Sequence, residues 1–324
     1  MNDKKELQRS LNPMHVWAIA FGCVIGWGSF VNPGKKFLPN SGVAGTAIAM
    51  ILGALVMIII AFSYAYMVPK YPKAGGEFTF TKMCFGKNAA FLCGWFLVAA
   101  YLTNVPMNST AIGLIVDGID GSADILKFGF HYTIAGFDVW MGEMILAMGI
   151  LILFGWLNII GVQKAAIVQT ILSSLLVICA ATLCITGIVS AKATGINMQP
   201  IWGFDKSAAM AAGATTAEIG KYAHTGTAGI MSAILATFAI APWAYVGFDA
   251  IPQAAEEFNF SFKKVSFIMM VAIVFGCFVY TSNNTVAAAA LANWPDRVMA
   301  GEWVVLVAAE ELLGGFGKVL IGVG

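Results

Sequence analysis

Long apolar runs separated by short polar clusters set the rhythm of this chain. A helix needs about 20 apolar residues to cross a bilayer. That length predicts spans over 14–33, 43–68, 88–116, 140–159, 165–190, 230–257 and 264–292, with an eighth beginning near Phe316. The joints differ in character. Tyr71-Pro72-Lys73-Ala74-Gly75-Gly76-Glu77-Phe78 reads as a compact turn, because Pro72 fixes one dihedral and the glycine pair permits reversal. Asp117 to Asp138 is a polar, acidic loop, and 191–229 is a long connection. From Pro295 to Gly315 the pattern predicts one short amphipathic helix on the outer surface, with Trp303, Val304, Leu306, Leu312 and Leu313 as its apolar content. The sequence stops at Gly324 inside an apolar run, so it reads as truncated at its C-terminus.

Two spans depart from regular helix. Phe21 to Gly34 places Gly22, Gly26 and Gly28 within span one. Unwound backbone at membrane depth is tolerated only where protein buries it or it lines a cavity. Glycine supplies both the dihedrals and the bare backbone that a ligand can touch, and the half-helix after the break presents its positive end to a carboxylate. The alternative is a packing seam, since Gly22 and Gly26 have Gly-x-x-x-Gly spacing. In span six, Pro242, Gly247 and Pro252 interrupt the helix, and Asp249 puts an acid where one is costly unless it faces water or a partner. Interrupted segments at matching positions of two halves, five helices apart, are the pattern of an inverted-repeat transporter site.

Composition agrees with a polytopic membrane protein: 59% hydrophobic and 11% charged residues, with a mean hydropathy of +0.82. The net charge of +1 and the lack of a basic block argue against a nucleic-acid partner. The six cysteines (Cys23, Cys84, Cys93, Cys179, Cys184, Cys277) have no metal or redox spacing and read as small buried hydrophobes. His15, His131 and His224 are scattered, so no metal site is expected. With the N-terminus cytoplasmic, ten lysines and arginines fall inside and eight outside, several of the latter in the long 191–229 connection. There is no Gly-x-Ser-x-Gly, His-Glu-x-x-His or P-loop, which argues against an enzyme.

Taken together, Gly-x-x-x-Gly-x-Gly ahead of Phe30 and Pro33, the turn Pro72 to Phe78, and Tyr245-Val246-Gly247-Phe248-Asp249 followed by Glu256-Glu257 resemble the amino acid permeases of the amino acid-polyamine-organocation superfamily. The resemblance covers essentially the whole chain. It implies an all-α, LeuT-type inverted five-helix repeat, incomplete here at about seven spans plus the start of an eighth. The organisation would be a cytoplasmic segment 1–13, a first repeat 14–190, an extracellular connection 191–229, and a partial second repeat 230–324. It implies secondary active transport of amino acids or related amines by alternating access, in the plasma or inner membrane. The substrate carboxylate would meet backbone N–H groups of Trp27, Gly28 and Ser29 in the first break, where Gly26 is also a substrate-site residue. The ammonium would meet carbonyls of Val24, Trp243 and Val246. Ala99, Ala100 and Asn104 of span three would form a wall. Trp243 is the expected outer gate, and Asp249 the candidate for gating or coupling, with a helix-cap role as its alternative. Trp27 stands where the family pattern has a small residue. Glu256 and Glu257 are expected to pair with Lys263 or Lys264, and Glu143 to be interfacial. No organic cofactor is expected, with a proton or sodium as candidate coupling ion. An amino acid sensor of the same fold and a non-functional fragment are the alternative readings.

Overall fold

The computed structural model describes residues 10–120, 124–134, 137–190 and 192–323. Lys4, Lys5 and Arg9 lie outside them. The helices are α1 (Pro13–Ile25), α2 (Gly28–Asn32), a π-helical turn (Pro33–Phe37), α3 (Leu38–Lys70), α4 (Gly76–Phe85), α5 (Lys87–Asp120), α6 (Met141–Ile160), α7 (Val162–Val189), α8 (Lys206–Ala211), α9 (Gly226–Ala244), α10 (Ala250–Gln253), α11 (Phe262–Ala290), α12 (Trp294–Met299), α13 (Val304–Leu313) and α14 (Gly315–Val323). Among the described residues six helical runs are long and apolar enough to cross a membrane. The first, Pro13–Lys70, has 58 residues. At 1.5 Å per residue it would reach roughly 87 Å if straight, nearly three hydrocarbon thicknesses. Gly42, at φ 60° and ψ −154°, kinks it into two helices at the boundary expected between spans one and two. Lys35 and Lys36, which read as loop, are instead exposed residues of the π-helical turn.

The chain divides into two compact units. One comprises Met1–Ile19, Tyr64–Ile171 and Asp249–Val265. In it α4 packs on α5, and α5 on α6. Many apolar side chains of α5 and α6 are exposed, among them Phe91, Trp95, Leu102, Ile152 and Trp156, as suits helices that face hydrocarbon. The polar loop expected over Asp117–Asp138 also holds a strand. Antiparallel β1 (His131–Ile134) and β2 (Phe137–Trp140) pair His131 with Trp140 and Ile134 with Phe137. Aromatic and β-branched residues dominate both strands, a preference that outweighs the segment's polarity. Glu143 is a cap: its carboxylate accepts the Trp140 N–H at 2.9 Å at the start of α6. The chain entering α1 is paired too, with Leu11 N–H donating to Glu257 O at 3.0 Å and Asn259 N–H to Leu11 O at 3.1 Å.

The other unit comprises Ala20–Ser63, Leu172–Phe248 and Ser266–Gly324. Its centre is the Gly42 kink. A Cβ there would lie 2.4 Å from Ile201 O and 2.5 Å from Gly203 N, so only glycine lets the connection pass this closely. A buried hydroxyl knot sits beside it: Ser41 Oγ is 2.9 Å from Thr46 Oγ1 and 2.7 Å from Thr237 Oγ1, and Asn284 Nδ2 donates to Gly42 O at 3.1 Å. The 191–229 connection carries α8, capped by Asp205, and is fastened to α12. Lys206 Nζ donates to Val298 O at 2.8 Å, Thr216 N–H to Asp296 Oδ1 at 2.7 Å, and Trp294 Nε1 to Asn197 O at 2.9 Å. Burial, with Lys35 and Lys36 nearby, pulls the Lys206 ammonium below its usual range. The single amphipathic helix expected over Pro295–Gly315 is two helices, α12 and α13, and Val304, Leu306 and Trp294 are buried. The eighth apolar run is α14, starting at Gly315.

The cysteines, expected to be small buried hydrophobes, are not uniformly buried. Cys179 is buried, whereas Cys23 and Cys84 are exposed. Apolar surroundings in a membrane sequence do not separate protein-facing from outward-facing positions.

Candidate functional site

Span one breaks where its glycines predict. Helix α1 stops at Ile25, Gly26 and Trp27 form a turn, and α2 restarts at Gly28. The carbonyls around the break find donors along the chain. Ser29 Oγ donates to Ile25 O at 2.9 Å, Ser29 N–H to Gly26 O at 3.0 Å, and Phe30 N–H to Trp27 O at 3.0 Å. Others are met from elsewhere in the unit: Tyr280 Oη donates to Val24 O at 3.3 Å, Asn283 Nδ2 to Ser29 O at 3.1 Å, and Trp303 Nε1 to Phe30 O at 2.7 Å. Among the described residues the Gly28 N–H meets no backbone acceptor. The break therefore leaves a donor uncommitted while its carbonyls are largely engaged, which is a bias toward an anionic group.

Space beside the break is uneven. A Cβ at Gly26 would meet only Gly22 O, at 3.6 Å, so no partner helix packs on that glycine as a Gly-x-x-x-Gly seam requires. A Cβ at Gly28 would stand 3.1 Å from Asn32 Nδ2, 3.7 Å from Tyr280 Oη and 3.9 Å from Trp243 Cη2.

The second break follows α9. Residues 245–249 form a run of turns before α10, with Tyr245 N–H donating to Pro242 O at 3.1 Å and Val246 N–H to Trp243 O at 3.2 Å. Gly247 has φ +130°, and a Cβ on it would lie 2.3 Å from Cys23 Cβ. The second break thus touches the last turn of α1, just ahead of the first break, and one absent methyl group permits it. Tyr245 is buried and anchors the turn through Tyr245 Oη to Met50 O at 2.8 Å. Trp243 and Val246 point the other way, 49% and 40% exposed. The Trp243 ring, by its distance from Gly28, lies across the first break.

The remaining expected residues belong to the other unit. Ala99 and Ala100 of α5 are exposed and Asn104 is half-buried. Asp249 precedes α10, yet its side chain makes no capping bond to backbone N–H groups. It accepts a hydrogen bond from Tyr101 of α5 instead. Glu256 and Glu257 form no ion pair with Lys264 among the described residues, and the Lys263 side chain lies outside them. Sequence reasoning missed Tyr280 and Asn283, which reach the first break from α11. Their i, i+3 spacing on one helix was a readable signal. It also missed Tyr101, and it treated Glu77 only as part of a turn. No cluster of metal-ligating side chains occurs among the described residues.

Comparison with known proteins adds to this geometry. A family model described as amino acid permease matches residues 11–324. The chain is 27% identical over 310 residues to the human large neutral amino acids transporter small subunit 2, covering 95% of this chain and 52% of that protein. It is 24% identical over 281 residues to the Arabidopsis thaliana mitochondrial cationic amino acid transporter 3, covering 85% and 42%. It is 29% identical over 115 residues to the amino-acid permease RocC of Bacillus subtilis (strain 168), covering 36% and 24%. The chain spans about half the length of the first curated relatives it matches.

Proposed function

This chain belongs to the amino acid permease family, and from that premise we propose that it moves an amino acid or a related amine across the membrane by secondary active transport. The substrate is held between the interrupted centres of spans one and six, and access alternates between the two sides of the membrane. The observation that carries the reading is the contact of the second interruption with the end of α1 that leads into the first, Gly247 on Cys23, with the Trp243 ring reaching Gly28. The Gly28 N–H suits the substrate carboxylate, and its ammonium is taken by the Val246 carbonyl and by the second lone pairs of the Val24 and Trp243 carbonyls, each of which already accepts one hydrogen bond. Trp243, half exposed beside the break, closes over the bound molecule. The architecture is the LeuT-type inverted repeat, with Gly42 dividing spans one and two, and the N-terminus is cytoplasmic. Coupling is to a proton or sodium gradient, or to exchange, with no organic cofactor.

The test is uptake of radiolabelled large neutral and cationic amino acids into proteoliposomes, comparing the protein with Gly26→Ala. The space beside Gly26 accepts a methyl group without a clash. The variant should therefore fold normally and raise KM by about tenfold, as expected when a site contact is displaced. Uptake by neither protein, with both folded, overturns the assignment.

A further inference from the structure

We propose that Glu77 is a positioning residue that latches α10, the second half of span six, to the turn at 71–78 and lets go when protonated, a role in coupling that rests on the transport reading above. Glu77 is the second residue of α4. Both of its carboxylate oxygens are occupied: Tyr64 Oη donates to Oε1 at 2.5 Å, and Gln253 Nε2 donates to Oε2. The backbone adds a third link, Gly75 N–H to Gln253 O at 3.4 Å. Gly76, at φ +41°, makes the approach possible, since a Cβ there would stand 2.8 Å from Gln253 Nε2.

The partner helix is short. α10 runs only from Ala250 to Gln253, and Asp249 at its other end accepts from Tyr101. This half-helix is therefore held at both ends by a carboxylate, each of which meets a tyrosine from a different long helix. A four-residue helix has little internal cohesion, so its position depends on these two attachments.

The chemistry of Glu77 makes its attachment conditional. An ionised carboxylate only accepts hydrogen bonds, and both partners here are donors. Protonation removes the charge that strengthens both bonds and turns one oxygen into a donor, which Tyr64 Oη can accept but Gln253 Nε2 cannot, so the Gln253 link is weakened. The titratable groups facing Glu77 are Tyr64 from α3 and Asp249 beside α10, with Tyr101 of α5 behind Asp249. Burial raises the Glu77 carboxyl above the ordinary carboxylate range and the negative Asp249 adds to this, against the Tyr64 and Gln253 bonds that lower it. The latch is therefore closed when Glu77 is ionised and opens as pH falls through that raised value.

The test is the rate of thiol labelling of Ala254→Cys, at the end of α10, in a background without the six native cysteines, two of which are exposed, across a pH series after correction for thiolate content. Measurements use proteoliposomes, with amino acid uptake followed in parallel. The corrected rate should rise several-fold on acidification in the otherwise unchanged protein and stay high at every pH with Glu77→Gln. Glu77→Asp, which keeps the charge, should restore a pH-dependent rate. If Glu77→Gln fails to fold, Gln253→Leu removes the same link from the other side and should give the same constant, fast labelling. A Glu77→Gln or Gln253→Leu rate that still follows pH overturns the latch even where uptake is intact. A pH-dependent rate abolished by either variant, in a protein that takes up no amino acid, upholds the latch and overturns the transport reading instead.

Discussion

At Gly247 a single hydrogen in place of a methyl group decides whether the second break can pack on the last turn of α1. Alanine there would combine strain at φ +130° with a Cβ 2.3 Å from Cys23 Cβ. Such strain costs about 1–3 kcal/mol, and overpacking about as much again. Gly247→Ala should accordingly lower the melting temperature in detergent well below that of Gly26→Ala, whose new Cβ meets only Gly22 O at 3.6 Å. Tyr245→Phe removes the hydroxyl bond to Met50 O and should cost about 0.5–1.5 kcal/mol, read from the same melts. Single residues were partly legible in the sequence. An acid inside an apolar span singles out Asp249 by its cost alone. Its partner Tyr101 lies 148 positions away and has no local mark, since a tyrosine in a membrane helix is unremarkable. Glu77 was hidden for the opposite reason: in a polar turn a carboxylate attracts no notice, and only the fold brings Tyr64 and Gln253 to it.

Helices are the most legible scale, because a run of about 20 apolar residues has few alternatives in lipid. The joints between them are not. Lys35 and Lys36 fall between the expected spans, but charges on the exposed side of a helix satisfy the same pattern, so helix persists to the kink at Gly42. The hairpin β1–β2 was invisible because four-residue strands are too short to show alternation against a polar background. The hydroxyl knot that braces the kink gives an element-scale prediction. Thr237→Val keeps the shape of the side chain but removes the 2.7 Å bond to Ser41 Oγ. It should destabilise by about 1–2 kcal/mol, the cost of leaving a buried hydroxyl short of a partner, and thermal melts with and without Ser41→Ala should show the two effects to be non-additive.

For the whole molecule the sequence predicts orientation by a narrow margin of basic residues, and accessibility measures it directly. Cys84 is free and exposed in α4, just beyond the turn at 71–78, which a cytoplasmic N-terminus would put inside. Ile196 is 85% exposed in the connection assigned to the outside. In a background without other cysteines, an impermeant maleimide added to intact cells should label Ile196→Cys at once and Cys84 only after permeabilisation. The reverse pattern would invert the topology. Trp243 has a further consequence for the intact protein. A half-exposed indole whose edge lies 3.9 Å from the Cβ position of Gly28 is an optical reporter already installed beside the proposed site. Trp294, fully buried against the 191–229 connection, should stay spectrally silent. Ligand titrations can thus be followed by intrinsic fluorescence, without a label, and the emission change should shrink in Trp243→Phe to what Trp27 in the first break contributes, while the protein remains folded.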